Sequence, residues 1–142
     1  MNIITIASTD NTPRETQGWA AIVRAPRLAP QWYSGTEGRS CQIEALVLAS
    51  LEGLRYCPRG QPVEIRVSVP SFAKFCHEGR LDDAAYGGLT TPCYVYTDAL
   101  RALRREITTN GVVVRAHTEA DWDILARELV TEAMRVPIRE AG

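Results

Sequence analysis

Two groups of residues in this sequence have types and spacings that suit chemistry: a trio of arginines and a scatter of acids. Arg101, Arg104 and Arg105 recur at i, i+3 and i+4 within a helical pattern. That spacing gathers positive charge on one side, where it suits a phosphate backbone, although a solvated helix face produces the same pattern. Fifteen of the 16 basic residues are arginine, with Lys74 the one lysine. Guanidinium forks pair with phosphate or carboxylate better than ammonium point charges do, and a genomic base-composition bias would yield the same count. Asp10, Glu44 and Asp123 each fall at the end of a predicted element. On position alone they are solvated acids, and Glu44 and Asp123 also favour helix N-termini. Asp121 precedes Asp123 by two positions, a spacing that does not put both on one helix face. Trp19, Trp32 and Trp122 offer stacking platforms for bases, or ordinary core rings.

The elements that must position these residues follow from pattern. Asn2 to Thr9 is a β-rich run that delivers Asp10 at its end, and a polar turn follows over 11 to 17. Gly18 to Arg24 and Gln31 to Thr36 read as two further strands, with Pro26 and Pro30 in the connection, so the first three strands form an antiparallel meander. From Cys41 to Tyr56 the apolar residues Ile43, Leu46, Val47, Leu51 and Leu54 recur three and four apart, which predicts a helix with Ser40 as N-cap and Pro58 beyond its end. Val63 to Val69 alternates as a strand, and Pro70 suits the first turn of a short helix over 71 to 76.

Glycines, Pro92 and a threonine pair make 79 to 95 an irregular loop with one helical turn near 82 to 86. Thr97 opens a helix whose Ala99, Leu100, Leu103 and Ile107 pack inward until Asn110-Gly111 stops it. Val112 to His117 is a strand, and Thr118 caps a last helix over 119 to 135. Three hairpin-connected strands followed by alternating helices and strands imply an α/β fold: a five-stranded mixed sheet flanked by helices, in which the later strands cross over to lie parallel.

Composition sets the class around that layout. The 142 residues match one domain, residues 1–142, and 45% hydrophobic with 23% charged residues is the balance of a folded globular chain. A net charge of −1 excludes a strongly basic nucleic-acid coat but leaves room for a local basic patch. Cys41, Cys57, Cys76 and Cys93 are 16, 19 and 17 positions apart, without a C-x-x-C pair to chelate zinc or exchange thiols. Neither a spanning apolar run nor a signal-peptide pattern is present, which gives the expectation of a soluble cytoplasmic protein without a membrane partner.

This order of elements, with the stretches Ser8-Thr9-Asp10, Cys41-Gln42-Ile43-Glu44-Ala45-Leu46 and Asp123-Ile124-Leu125-Ala126-Arg127, resembles the type 1 ribonuclease H family over nearly the whole chain. The resemblance implies a ribonuclease H-like fold and metal-dependent hydrolysis of the RNA strand of RNA/DNA hybrids, recognised through shape and 2′-hydroxyls. It implies that Asp10, Glu44 and Asp123 match three of the family's four metal-binding carboxylates. His117, ending Val114-Arg115-Ala116-His117, matches a histidine that assists turnover. Two Mg²⁺ or Mn²⁺ ions about 4 Å apart need such clustered hard oxygen ligands.

The position of the family's remaining aspartate falls in Val67-Ser68-Val69-Pro70-Ser71, on Val69 or Pro70 according to the alignment, and neither side chain can ligate a cation. Weak metal binding is therefore expected. Gln42 stands near the family's hybrid-touching residues, and Arg101, Arg104 and Arg105 are the candidate phosphate contacts. A catalytically silent ribonuclease H-like module, binding nucleic acid or a protein partner, is the alternative.

Overall fold

The computed structural model describes residues 1–9, 16–38, 41–58, 60–77, 79–85 and 96–117. Asp10, Cys93, Asp123 and the expected helix over 119 to 135 lie outside them.

The β-branched run at the start forms strand β1 (Asn2–Ser8), which lies at the centre of a five-stranded sheet. Strands β2 (Thr16–Arg24) and β3 (Gln31–Gly38) extend it as an antiparallel meander, from Ile3 opposite Arg24 to Ser8 opposite Trp19 and from Thr16 opposite Gly38 to Val23 opposite Gln31. On the other side β4 (Val63–Val67) and β5 (Val113–Ala116) run parallel to β1, giving the order β3-β2-β1-β4-β5. The mixed sheet expected from sequence is therefore present.

Parallel neighbours require crossovers, and helices supply them. Helix α1 (Gln42–Arg55) connects β3 to β4, while α2 (Pro70–His77), α3 (Arg80–Ala85) and α4 (Thr97–Thr109) lie between β4 and β5. One sheet face carries Ile4, Ile6, Trp19, Ala21, Val23, Ile65 and Val67, and it shares one core with Leu46 and Ala49 of α1, Phe72 of α2, Leu81 of α3, and Leu100 and Leu103 of α4. The helix seats closely because position 53 is glycine: a Cβ there would come within 2.5 Å of Cγ2 of Ile4. On the opposite face Thr5, Ala7, Ala20 and Ile22 are buried too, which is why β1 lacks the simple alternation of a half-exposed strand.

That second face holds an ion network. Glu64 receives Nε of Arg66 at 2.6 Å and Nε of Arg115 at 3.0 Å from the neighbouring strand. Burial pushes the Glu64 carboxyl up, but the hydrogen bonds and charges of the two arginines outweigh it and hold the group below the usual carboxylate range.

Several boundaries differ from the sequence reading: β2 starts at Thr16 rather than Gly18, β3 ends at Gly38 rather than Thr36, and β5 is Val113–Ala116 rather than 112 to 117. The N-cap of α1 is Cys41 rather than Ser40: the Cys41 carbonyl accepts the first helical bond from the Ala45 amide at 3.0 Å, and no side chain caps the helix. The expected single turn near 82 to 86 is instead α3, which starts just after Gly79 at φ +80° and buries Leu81 and Ala85. The strand expected to reach Val69 ends at Val67, because Pro70 already begins α2, its fixed φ suited to a first helical position. Helix α4 keeps the expected span and stops at Asn110-Gly111, with Gly111 at φ +69°.

Candidate functional site

Because β1, β4 and β5 are parallel, their carboxyl ends reach the same edge of the sheet. The chain leaves β1 toward β2 on one side and crosses through α1 to β4 on the other, so β1 and β4 flank a topological switch point. Open α/β sheets bind ligands outside such strand ends. Five described residues belong to this edge or the helix beside it: Thr9 after β1, Val69 and Pro70 after β4, His117 after β5, and Glu44 in the first turn of α1.

Glu44 is the unusual member. Its residue surface is 1% exposed, and carboxylates are rarely buried without partners. The Tyr96 amide, which opens α4, donates to Glu44 Oε2 at 2.5 Å. This bond joins the start of α1 to the start of α4, and it uses an N–H that the helix itself leaves without an intrahelical acceptor. A backbone donor has no side-chain signature, so residue types did not reveal Tyr96.

Thr9 is fully buried and held at each polar atom. Its amide donates to the Gly18 carbonyl at 3.0 Å, and its hydroxyl bonds to the Gln17 side-chain oxygen and accepts from the Gly18 amide at 3.3 Å. Its carbonyl accepts Nε2 of Gln42 at 3.3 Å. Gln42, expected to touch a hybrid, thus reaches the residue immediately before Asp10. The buried Gln17 is a second participant that sequence patterns did not signal.

His117 continues the ladder beyond β5, its amide donating to the Val67 carbonyl at 2.7 Å, with the side chain half-buried and Nδ1 buried. Val69 is half-buried against the core, whereas Pro70 is exposed. A hydrocarbon side chain in either place gives a cation nothing to bind. The donor set at β4 therefore does not fit a four-carboxylate pair of ions. Among the described residues, no group of three or more His, Cys, Asp and Glu side chains is placed to hold a metal. Asp10 and Asp123, the other expected ligands, lie outside the described residues.

The arginine trio is only partly outward. Arg101 Nε donates to the Ala85 carbonyl at 2.7 Å and its Nη1 lies 3.6 Å from Asp98, while Arg104 pairs with Asp82 of α3. Two of the three guanidinium groups thus fasten α4 to α3, while Arg101 and Arg105 are both exposed. Their i, i+3, i+4 spacing could not show the bonds to Ala85 and Asp82, because those acceptors lie on α3, 16 and 22 residues earlier.

No protein-family model matches the sequence, and no curated protein matches it by sequence. Solved structures do match in shape. The LC11 ribonuclease H1, from compost and in complex with an RNA/DNA hybrid, superposes with a TM-score of 0.67 at 15% identity, covering 97% of this chain and 99% of that one. The PFV RNase H domain gives 0.61 at 10% identity over 97% and 92% of the two chains. The N-terminal RNase H domain of rv2228c from Mycobacterium tuberculosis gives 0.58 at 15% identity over 99% and 98%. With nearly full coverage in both directions and the strand order described above, the chain has the ribonuclease H-like fold.

Proposed function

We propose that this chain is a divergent ribonuclease H-like hydrolase, one domain over residues 1–142, that cuts the RNA strand of RNA/DNA hybrids with a divalent ion held by a reduced set of carboxylates. The observation that carries the proposal is Glu44: a nearly fully buried carboxylate in the first turn of α1, beside the carboxyl edge of the parallel strands. An apolar residue would fill that space without the desolvation cost, so a carboxylate there suits chemistry better than packing. The hybrid bound in the LC11 structure supports the choice of substrate.

Glu44, Asp10 and Asp123 would hold Mg²⁺ or Mn²⁺, which when bound supplies electrostatic stabilisation to the attacking and leaving oxygens. Glu44 is oriented by the Tyr96 amide, so its carboxylate is fixed before substrate arrives. His117, held at the same edge by its own amide, is the candidate for assisting turnover. Arg105 remains the candidate contact to the nucleic acid, since Arg101 and Arg104 are engaged with α3 and Gln42 with Thr9.

The hydrocarbon side chains at Val69 and Pro70 favour the second reading, a silent module that binds nucleic acid or a protein partner without cutting. Cleavage of a labelled RNA/DNA hybrid in Mg²⁺ and in Mn²⁺, with Glu44→Gln as control, separates the two. The proposal expects slow RNA-strand cleavage, faster in Mn²⁺, that disappears in the variant. Hybrid left intact in both ions favours the binding module.

A further inference from the structure

Gln42 has a place in the sheet edge that its expected contact with a hybrid does not explain. Its Nε2 reaches across to the carbonyl of Thr9, two residues before Glu44 in one element and one residue before Asp10 in the other. We infer that Gln42 is a positioning residue, fixing the end of β1 against the first turn of α1 and so the placement of Glu44 relative to that strand end; this rests on the metal-site reading proposed above.

Thr9 carries the remaining contacts of this device. Its amide and hydroxyl are engaged by Gly18 and Gln17 on β2, while its carbonyl accepts both Ser8 Oγ at 3.0 Å and, from α1, Gln42 Nε2 at 3.3 Å. Thr9 is thus held from β2 on one side and from Gln42 on the other. The α1 end is held too, because Glu44 is fastened to the Tyr96 amide. One side-chain hydrogen bond thus joins the end of β1 to the helix that carries Glu44. Partners that orient ligands in this way typically govern metal affinity by about ten- to a hundredfold.

The test uses Gln42→Met, which keeps the length of the side chain and removes its N–H donor, with three readouts on the full chain. Native-state amide exchange is metal-free: the Thr9 and Gly18 amides should exchange about tenfold faster or more, while Ile4 and Ile6 in mid-strand keep their protection. Titration with Mn²⁺ should show affinity lower by about ten- to a hundredfold, and hybrid affinity in the absence of divalent ions should be unchanged. Should Gln42→Met not fold, Gln42→Glu, the same shape with the donor removed, gives the exchange readout.

Unchanged exchange at Thr9 and Gly18 overturns the inference. So does loss of hybrid affinity with exchange and Mn²⁺ binding intact, which would return Gln42 to the substrate surface. If the wild-type protein binds no Mn²⁺ while the variant exchanges faster, the link between β1 and α1 stands and the metal-site reading falls instead.

Discussion

Replacing Gly53 by alanine sets two effects of known size against each other. Gly53 lies inside α1, where alanine is favoured over glycine by about 1 kcal/mol. Against that gain, the new Cβ would meet Cγ2 of Ile4 at 2.5 Å and Cδ1 at 3.2 Å. Ile4 is fully buried on the central strand and Cγ2 is attached directly to its Cβ, so relief requires movement of the side chain or of the helix. Overpacking of this kind costs about 1 to 3 kcal/mol, so Gly53→Ala should destabilise by about 1 kcal/mol net. In an Ile4→Ala background, itself weaker by about 2 to 5 kcal/mol, the clashing atoms are gone and Gly53→Ala should stabilise by about 1 kcal/mol. The coupling of about 2 kcal/mol is measurable by urea denaturation of the four proteins of the cycle. A stabilising Gly53→Ala in the wild-type background, or coupling below about 0.5 kcal/mol, would refute the close seating of α1 on β1 that places Glu44.

Three further outcomes follow from particular contacts. Replacing Arg101, Arg104 and Arg105 together by alanine should lower the log-log salt slope of hybrid binding by about 1, as expected if Arg105 alone reaches phosphate, rather than by the ~3 of three outward arginines; anisotropy titrations over a salt series distinguish the two. Because Glu64 has a lowered carboxyl pKa in the folded protein, its network contributes stability above the ordinary carboxylate range and loses it as pH falls through the folded-state value. Glu64→Gln should therefore be less stable than wild type at pH 7 and converge with it below that range, whereas an equal gap at pH 7 and at pH 3 would show that ionisation is not the cause. Burial pushes the Cys76 thiol up to about 12, so in the native protein at pH 8 a disulfide reagent should modify the half-buried Cys41 well before Cys76, and prompt labelling of Cys76 would contradict the core placement.

The order of strands and helices was legible because it rests on local signals: β-branched runs, the period of α1 and α4, and the proline and glycine that begin α2 and end α4. The edge position of Glu44 followed from that order. What was hidden depends on contacts across long separations. Arg104 cannot be seen to pair with Asp82 from spacing on its own helix, nor Gln42 to reach Thr9 from its place before Glu44. The Tyr96 amide carries no residue-type signal at all. Helix α3 reads as a single turn in the sequence because a six-residue element is too short to show a period, and its stability comes from burying Leu81 and Ala85 against α2 and α4.

If a metal-dependent nuclease site persists here with one ligand missing, Mg²⁺-dependent cleavage of the RNA strand by Val69→Asp and Pro70→Asp reads it out most directly. Val69 packs half-buried at the position before α2, while Pro70 is exposed as its first residue, so the two side chains face different surroundings and only one can supply the oxygen. One variant should gain about tenfold or more, equivalent to ~1.4 kcal/mol of barrier, and the other nothing. Two folded variants that bind Mg²⁺ no better than wild type and leave the hybrid uncut would contradict the metal-site reading.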